Sequence, residues 1–223
     1  GKDYRQFEMF FKNFHFLLLL VLLSSNTLFA LDAPFTIIEL ANKQGLSDKK
    51  GNIIIPAEHE KLGWSSGETR VVNGVIGYRK NGTWGLVNLK NQRVADPVYH
   101  YLEPINDQLV IAARSIPVIN RIKYGVIDTK GKTIIGFDYF KLQKNADRLI
   151  ASIDNQNNIK YGIVALNGEL KLPLVFKNIV AVSENVYAAT DHLAKTGLYD
   201  KKGRIIMPHV LDSITIFNNH LSF

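Results

Sequence analysis

The sequence contains no cysteine, and this absence excludes several kinds of chemistry at once. The protein forms no disulfide, no thiolate metal site and no cysteine nucleophile, and it carries no lipid-modified amino-terminal cysteine. Histidines are few, and after residue 30 no two of them lie three or four positions apart, the usual spacing of zinc ligands. The Gly-x-Ser-x-Gly motif of serine hydrolases and the glycine-rich phosphate loop are also missing. We therefore predict a protein without catalytic residues, metal or cofactor.

Charge of one sign is nowhere concentrated. Lys and Arg number 27 against 20 Asp and Glu, which gives a formal charge of +7. The basic residues are spread along the chain, and runs such as Lys49-Lys50 are no longer than two residues. A surface dedicated to nucleic acid usually clusters its basic residues, so we predict no nucleic-acid partner. The hydrophobic content of 46% and the charged content of 21% are typical of a folded protein.

One long hydrophobic run lies near the amino terminus. Seven aliphatic residues at 17–23 follow a short basic region and are followed by polar residues and the small Ala30. This pattern resembles a secretory signal peptide. We expect residues 1–8 to be extraneous, residues 9–30 to form a signal helix that is cleaved, and the remaining protein to be periplasmic, cell-surface or secreted. A buried helix and an uncleaved anchor are alternatives, although the run is barely long enough to span a bilayer; after cleavage no stable membrane span is expected.

The rest of the chain is organised by a pair of glycines six residues apart. One copy has asparagine in the second place, and asparagine is the residue that best replaces glycine at positive φ. The five pairs are Gly45/Gly51, Gly85/Asn91, Gly125/Gly131, Gly162/Gly168 and Gly197/Gly203. A ring or bulky side chain follows the first glycine at a distance of 14 residues, and an aliphatic residue follows it at 17. After a lead-in at 31–42, we predict five repeats over 43–223, with approximate bounds 43–82, 83–122, 123–159, 160–194 and 195–223.

Each copy has the pattern of a β-hairpin followed by another strand. In the third copy, 124–128 is a strand, and its final aspartate and Gly131 form a tight turn into a return strand at 132–135. We expect a short turn next, and then a third strand such as 109–112. Propeller blades usually have four strands. Three strands per copy therefore predict antiparallel hairpin repeats in an open, curved or superhelical all-β sheet rather than a closed propeller.

These residues resemble the WG repeat, a bacterial repeat named for its Trp-Gly pair. The resemblance is clearest at 83–88, which contains Trp84-Gly85, and at 123–135, and it extends over 43–223. In the other copies the place of tryptophan is taken by Gln44, Tyr124, Tyr161 and Thr196. The resemblance implies an all-β repeat region that is often exported and is usually an interaction module. It supplies no catalytic residue to transfer.

From these observations we predict a non-catalytic binding or scaffold module that acts outside the cytoplasm on an unknown protein or envelope polymer. Side chains at loop tips that differ between copies are the predicted contacts: Arg79, Lys80, Arg114, Arg121, Lys144 and Arg148. A sensory region of a longer signalling protein is an alternative, because the fifth copy stops early at Phe223. An envelope hydrolase is a remote alternative, which would need a site assembled from distant repeats.

Overall fold

The chain folds almost entirely into β-strands. A computed structural model describes residues 34–212 and, for the backbone alone, 215–217 and 220–222. The predicted signal peptide therefore lies outside the described residues. Within them the structure has a short 3-10 turn at Pro117–Ile119 and no helix that is long and apolar enough to cross a membrane. The strands are β1 (Phe35–Leu40), β2 (Lys43–Asp48), β3 (Ile53–His59), β4 (Lys61–Leu62), β5 (Val75–Lys80), β6 (Thr83–Asn88), β7 (Arg93–Pro104), β8 (Leu109–Ile116), β9 (Arg121–Asp128), β10 (Thr133–Tyr139), β11 (Lys141–Asn145), β12 (Arg148–Asn155), β13 (Asn158–Ala165), β14 (Leu170–Phe176), β15 (Asn178–Ala181), β16 (Val186–Thr190), β17 (Thr196–Asp200), β18 (Ile205–Leu211), β19 (Thr215–Phe217) and β20 (His220–Ser222).

The strands pair in antiparallel order with their neighbours in sequence. We name the resulting units the first meander (β1–β3), the second (β4–β7), the third (β7–β10), the fourth (β11–β14) and the fifth (β15–β18); β19 and β20 form a further pair. Strand β7 belongs to two meanders, and its register shifts between Tyr99 and Tyr101. The all-β, antiparallel prediction is confirmed.

The predicted count of three strands per copy is wrong. The segment expected to be a short turn is itself a strand, as β11 illustrates: Leu142 pairs with Ala151 of β12. One residue, Phe140, separates β11 from β10, so the chain passes from the last strand of one meander into the first strand of the next without a hairpin turn. The second copy has the long β7 in place of two strands, and the other four copies have four strands each. The strand count therefore no longer distinguishes an open array from a propeller.

The sequence copies and the meanders are out of step by half a unit. The copy at 123–159 contains β9 and β10, which complete the third meander, and β11 and β12, which begin the fourth. The segment at 31–42, expected to be a lead-in, supplies β1 of the first meander. Consecutive meanders are therefore joined within every copy, which fixes their order along the array.

The tight turn predicted after the first strand of each copy is present. Gly131 has φ +83° and donates its backbone N–H to the carbonyl of Asp128 at 3.0 Å. The Asp128 carboxylate accepts the N–H groups of Lys130 and Lys132, at 2.9 and 2.8 Å. The same caps occur at Asp48, Asn88 and Asp200. These aspartates therefore have the structural role that the sequence predicts.

The first residue of each pair must be glycine because the paired strand leaves no room for a Cβ, and not because its φ is positive. A Cβ on Gly125 would lie 2.7 Å from the carbonyl oxygen of Ile135 on the paired strand, where the register shifts. A Cβ on any of the other first glycines would likewise lie 2.5 to 2.9 Å from the carbonyl oxygen of the residue ten positions later. Any side chain here would push the hairpin apart.

The hydrophobic core lies between consecutive meanders. Four clusters of buried side chains occupy the four junctions, and each contains the aliphatic residue that follows the first glycine by 17 positions: Leu62, Leu102, Leu142 and Ile179. The fifth member of this set, Ile214, lies outside the described residues. Trp84 is also buried, at the junction of the second and third meanders, so it serves packing and not an exposed aromatic ladder.

Candidate functional site

A cleft of about 600 Å³ opens at the junction of the first and second meanders. Its walls come from the end of β3, the end of β5 and the turn after β6. Two carboxylates, Glu58 and Glu60, lie in the wall formed by the first meander. Four basic side chains also line the cleft: Lys43, Arg79, Lys80 and Arg93. The cleft is therefore strongly polar and carries more positive than negative charge.

The cleft lies beside the copy that has asparagine in place of the second glycine. In the third and fifth copies the second glycine packs against the preceding meander: a Cβ on Gly131 would lie 3.1 Å from the carbonyl oxygen of Val94, and one on Gly203 would lie 2.0 Å from that of Lys171. The second copy has Asn91 instead, at φ +58°.

Asn91 joins the two meanders through a polar network. Its Nδ2 donates to Glu58 Oε1 at 2.7 Å, and its Oδ1 lies 3.0 Å from His59 Nε2. Since an amide oxygen can only accept a hydrogen bond, His59 Nε2 carries a hydrogen and donates it to Asn91 Oδ1. The side chain of His59 is only 14% exposed, so the network is part of the cleft wall.

Ring contacts differ between the junctions. At the second junction the rings of Tyr99 and Phe137 stack with their centroids 6.2 Å apart. Tyr99 is on β7, which the second and third meanders share, and Phe137 is on β10, the last strand of the third meander. At the first junction the ring of His59 contacts Tyr78, on the second strand of the next meander, at 5.2 Å. Burial raises the pKa of Tyr78, which keeps its hydroxyl neutral. The outer part of this junction stays open as the cleft.

Both carboxylates of the cleft accept hydrogen bonds from other groups of the protein. Glu60 accepts the backbone N–H of Asn81 at 2.7 Å, and this bond is the main reason why the pKa of Glu60 is lowered; the charges of Lys43 and Arg79 lower it further. Glu58 accepts from Asn91. Among the basic residues, Arg93 pairs with Asp96 at 3.1 Å, an interaction of two exposed side chains.

Three cations of the cleft remain uncommitted. Within residues 34–212, the side chains of Lys43, Arg79 and Lys80 make no hydrogen bond or ion pair, although the charges of Lys43 and Arg79 act on Glu60, and all three are exposed. They approach the cleft from two hairpin tips, β1–β2 and β5–β6. This arrangement offers charge-assisted hydrogen bonds to an anionic group.

Of the six loop-tip residues predicted as contacts, the structure brings Arg79 and Lys80 together in the cleft. Two others lie elsewhere and have partners. Arg114 lies over the ring of Phe137 at 4.3 Å, and Arg121 pairs with Asp154 at 2.7 Å. Whether these side chains contact a partner stays a prediction.

The remaining two predicted residues connect meanders. Lys144 donates to the carbonyl of Pro104 at 3.1 Å and pairs with Glu103 at 3.2 Å. Arg148 donates to the carbonyl of Lys201 at 3.0 Å, and its side chain is only 15% exposed. Their present contacts give both a stabilising role.

A second cleft, of about 390 Å³, lies beside Arg148. Its charged side chains neutralise one another, since Arg148 pairs with Asp147 at 3.1 Å and Lys171 with Glu169 at 2.6 Å. It therefore offers less free charge than the first cleft. No group of three or more acidic or histidine side chains in the described residues is placed to hold a metal ion.

The sequence pattern missed most of the first cleft because its residues come from different copies. Glu58 and Tyr78 belong to no motif, and the repeat pattern marks His59 only as the ring residue 14 positions after Gly45. The available signal was Asn91, which breaks the pattern of paired glycines. A departure from a repeat rule is thus the feature that marks the site.

Comparison with known families bears on the hairpins described above. The family described as the WG containing repeat matches residues 124–139 and 197–221. These two segments are WG repeats. The first is the β9–β10 hairpin, and the second begins with the equivalent hairpin of the fifth meander. The WG repeat expected from the sequence is confirmed at these two segments, and no curated protein matches the chain.

Among solved structures, the chain is similar to a eukaryotic initiation factor, with a TM-score of 0.46 and 9% identity over 80% of this chain. It is also similar to the WD40 β-propeller domain of Doa1 (TM-score 0.34, 8% identity, 79% of this chain) and to the C-terminal WD40 domain of Sif2 (0.35, 13%, 82%). The chain spans 53%, 66% and 56% of the lengths of these three structures, respectively.

Proposed function

We propose that this WG-repeat protein is a non-catalytic binding module and that the cleft between the first and second meanders holds its ligand. One observation carries the proposal: at this junction Asn91 forms a polar network with the neighbouring meander, beside three cations whose side chains make no hydrogen bond or ion pair within residues 34–212. The volume of about 600 Å³ lies within the range of small-molecule and oligomer sites. The ligand is part of a protein or an envelope polymer.

The protein acts outside the cytoplasm in this proposal. Support comes from the sequence of residues 9–30, which has the basic, apolar and small-residue regions of a signal peptide in the right order. Fractionation of the native host, with amino-terminal sequencing of the recovered protein, tests it. A cytoplasmic chain that retains residues 9–30 would contradict this part of the proposal.

The array is open and curved in this proposal. Contacts between different meanders join neighbours in sequence, for example β3 with β5 and β13 with β15. Each junction has its own core cluster, so an open array needs no contact between its ends. Small-angle X-ray scattering of the purified protein tests this point, because an open array gives a longer maximum dimension than a closed ring of the same mass.

Capture from envelope extract tests the binding function itself. The bait is the purified protein, and the variant is Arg79→Glu with Lys80→Glu. The matched control, Lys130→Glu with Lys202→Glu, makes the same change in net charge on exposed turns away from the cleft. We expect the cleft variant to lose a ligand that the wild type and the control retain. Equal capture by all three would show that the cleft is not the binding site.

A further inference from the structure

We infer that the ligand of the first cleft is an acidic carbohydrate, a short run of sugar residues that bear carboxylates. This inference rests on the proposed function and specifies its ligand. It is argued from the charge of the cleft, from the chemistry of its other lining groups and from what the cleft lacks.

The charge of the cleft selects an anion. The side chains of Lys43, Arg79 and Lys80 face it from two meanders and make no hydrogen bond or ion pair within residues 34–212, although the charges of Lys43 and Arg79 act on Glu60. Arg79 offers the planar fork that binds a carboxylate through two hydrogen bonds. The two carboxylates of the cleft do not serve as counter-ions at hydrogen-bond range, because Glu60 holds a backbone turn and Glu58 holds Asn91.

The other lining groups suit hydroxyl groups. Asn81 presents an exposed amide, which offers both donors and an acceptor. Glu58 and Asn91 use one atom each in their mutual bond, so each keeps hydrogen-bonding capacity towards the cleft. Alternating donors and acceptors at the edge of a polar cleft match a chain of sugar hydroxyls between the charged groups.

The cleft lacks the features that other anionic partners need. Its apolar side chains are buried: Val87 is 2% exposed and Tyr78 is 6% exposed. An acidic protein would need an open apolar pocket for its anchoring side chains. A single-stranded nucleic acid would need exposed rings on which bases stack. Polar edges and free cations without an apolar floor favour the acidic sugar.

Isothermal titration calorimetry with tetragalacturonate tests the inference on the full chain. We expect binding to the wild type, and a loss of about tenfold in affinity, or about 1.4 kcal/mol, in Arg79→Ala with Lys80→Ala. The control Lys130→Ala with Lys202→Ala removes the same charge from exposed turns and should stay within about twofold. Thermal melts of both variants establish that they are folded.

Two further ligands separate carbohydrate from charge. Neutral maltotetraose lacks the carboxylates, and tetraglutamate carries them on a peptide; we expect each to bind at least about tenfold more weakly than tetragalacturonate. Equal binding of tetraglutamate would overturn the inference, as would an absence of tetragalacturonate binding. If no sugar binds but the envelope ligand is still lost in the cleft variant, the inference fails and the proposed function stands. If neither experiment depends on the cleft, both fail.

Discussion

Replacing Gly203 by alanine should destabilise the protein more than replacing Gly51, although both occupy the same turn. Their φ angles are +84° and +83°. The left-handed conformation costs a residue with a Cβ about 1–2 kcal/mol, and this cost is shared by the two sites. Reduced freedom of the unfolded chain offsets roughly 0.4–1 kcal/mol of it at both. The difference between them must therefore come from their surroundings.

The surroundings differ because the turn of the fifth meander packs against the fourth. A Cβ on Gly203 would lie 2.0 Å from the carbonyl oxygen of Lys171, which is backbone and moves only with its strand, whereas one on Gly51 has nothing within 4 Å. Relieving such a clash adds about 1–3 kcal/mol. We expect a net loss of about 1 kcal/mol for Gly51→Ala and about 2–4 kcal/mol for Gly203→Ala.

Urea unfolding monitored by circular dichroism measures both losses as shifts in midpoint at constant slope. Gly168→Ala is the internal control: its φ is +90°, but its nearest neighbour would be a side-chain atom of Ile135 at 3.7 Å. It should behave like Gly51→Ala. Equal losses at Gly203 and Gly168 would refute the reasoning that packing between meanders, in addition to φ, fixes glycine in this turn.

Three other perturbations have defined outcomes. From the sequence alone, Asn91→Gly is expected to be neutral or slightly stabilising. The hydrogen bonds of Asn91 to Glu58 and His59 predict instead a loss of stability of about 1 kcal/mol. A thermal melt measures this loss, and an unchanged melting temperature would contradict the prediction from the hydrogen bonds. Arg148→Ala should cost about 1–3 kcal/mol by leaving the Lys201 carbonyl without its partner, whereas Arg148→Lys should recover only part of that loss. Burial raises the pKa of seven tyrosines above the value of about 10 that they have in the unfolded chain. Their contribution to stability is complete below that unfolded pKa and is lost as pH rises through the folded pKa values. Over this range the free energy of unfolding falls by up to about 1.4 kcal/mol per pH unit for each tyrosine. Most of the rise in absorbance at 295 nm should therefore accompany unfolding in alkali. Ionisation of more than two of the nine tyrosines before unfolding would contradict the burial of Tyr78, Tyr99, Tyr101, Tyr124, Tyr139, Tyr187 and Tyr199.

The hairpins were predictable because their causes are local. An aspartate, a glycine three residues later and flanking β-branched residues determine the turn at Asp128 without reference to the rest of the chain. The fourth strand of each copy was not predictable in this way. Strand β4 has two residues, and β11 reads Lys-Leu-Gln-Lys-Asn with one buried apolar position. These strands form because the next strand offers a free edge, and a single sequence window does not contain that edge.

The cleft was harder to predict because it exists only between copies. Lys43, His59 and Arg79 are separated by 16 and 20 positions. His59 has a place in the repeat pattern and Arg79 was predicted as a contact, but nothing in the pattern places the three residues together. Their proximity follows from the stacking of two meanders, which the repeat pattern indicates but does not locate in detail. The substitution of Asn91 for glycine was visible, yet its tolerance of positive φ explained it completely at the level of sequence. Only the bonds to the neighbouring meander give it a second role.

In the proposed function, the first junction separates stability from binding. Its inner part has a buried core like the others, in which Leu46 and Ile55 of the first meander and Leu62 of the second are fully buried. Its outer part carries the exposed cations, of which Arg79 and Lys80 contribute nothing to that core. Surface substitutions away from buried features usually change stability by less than about 0.5 kcal/mol, so these two side chains are free to vary with the ligand while the array stays folded. A repeat array can therefore acquire a site at one junction by altering the outer residues alone, and the cleft variants are expected to change affinity without changing the melting temperature.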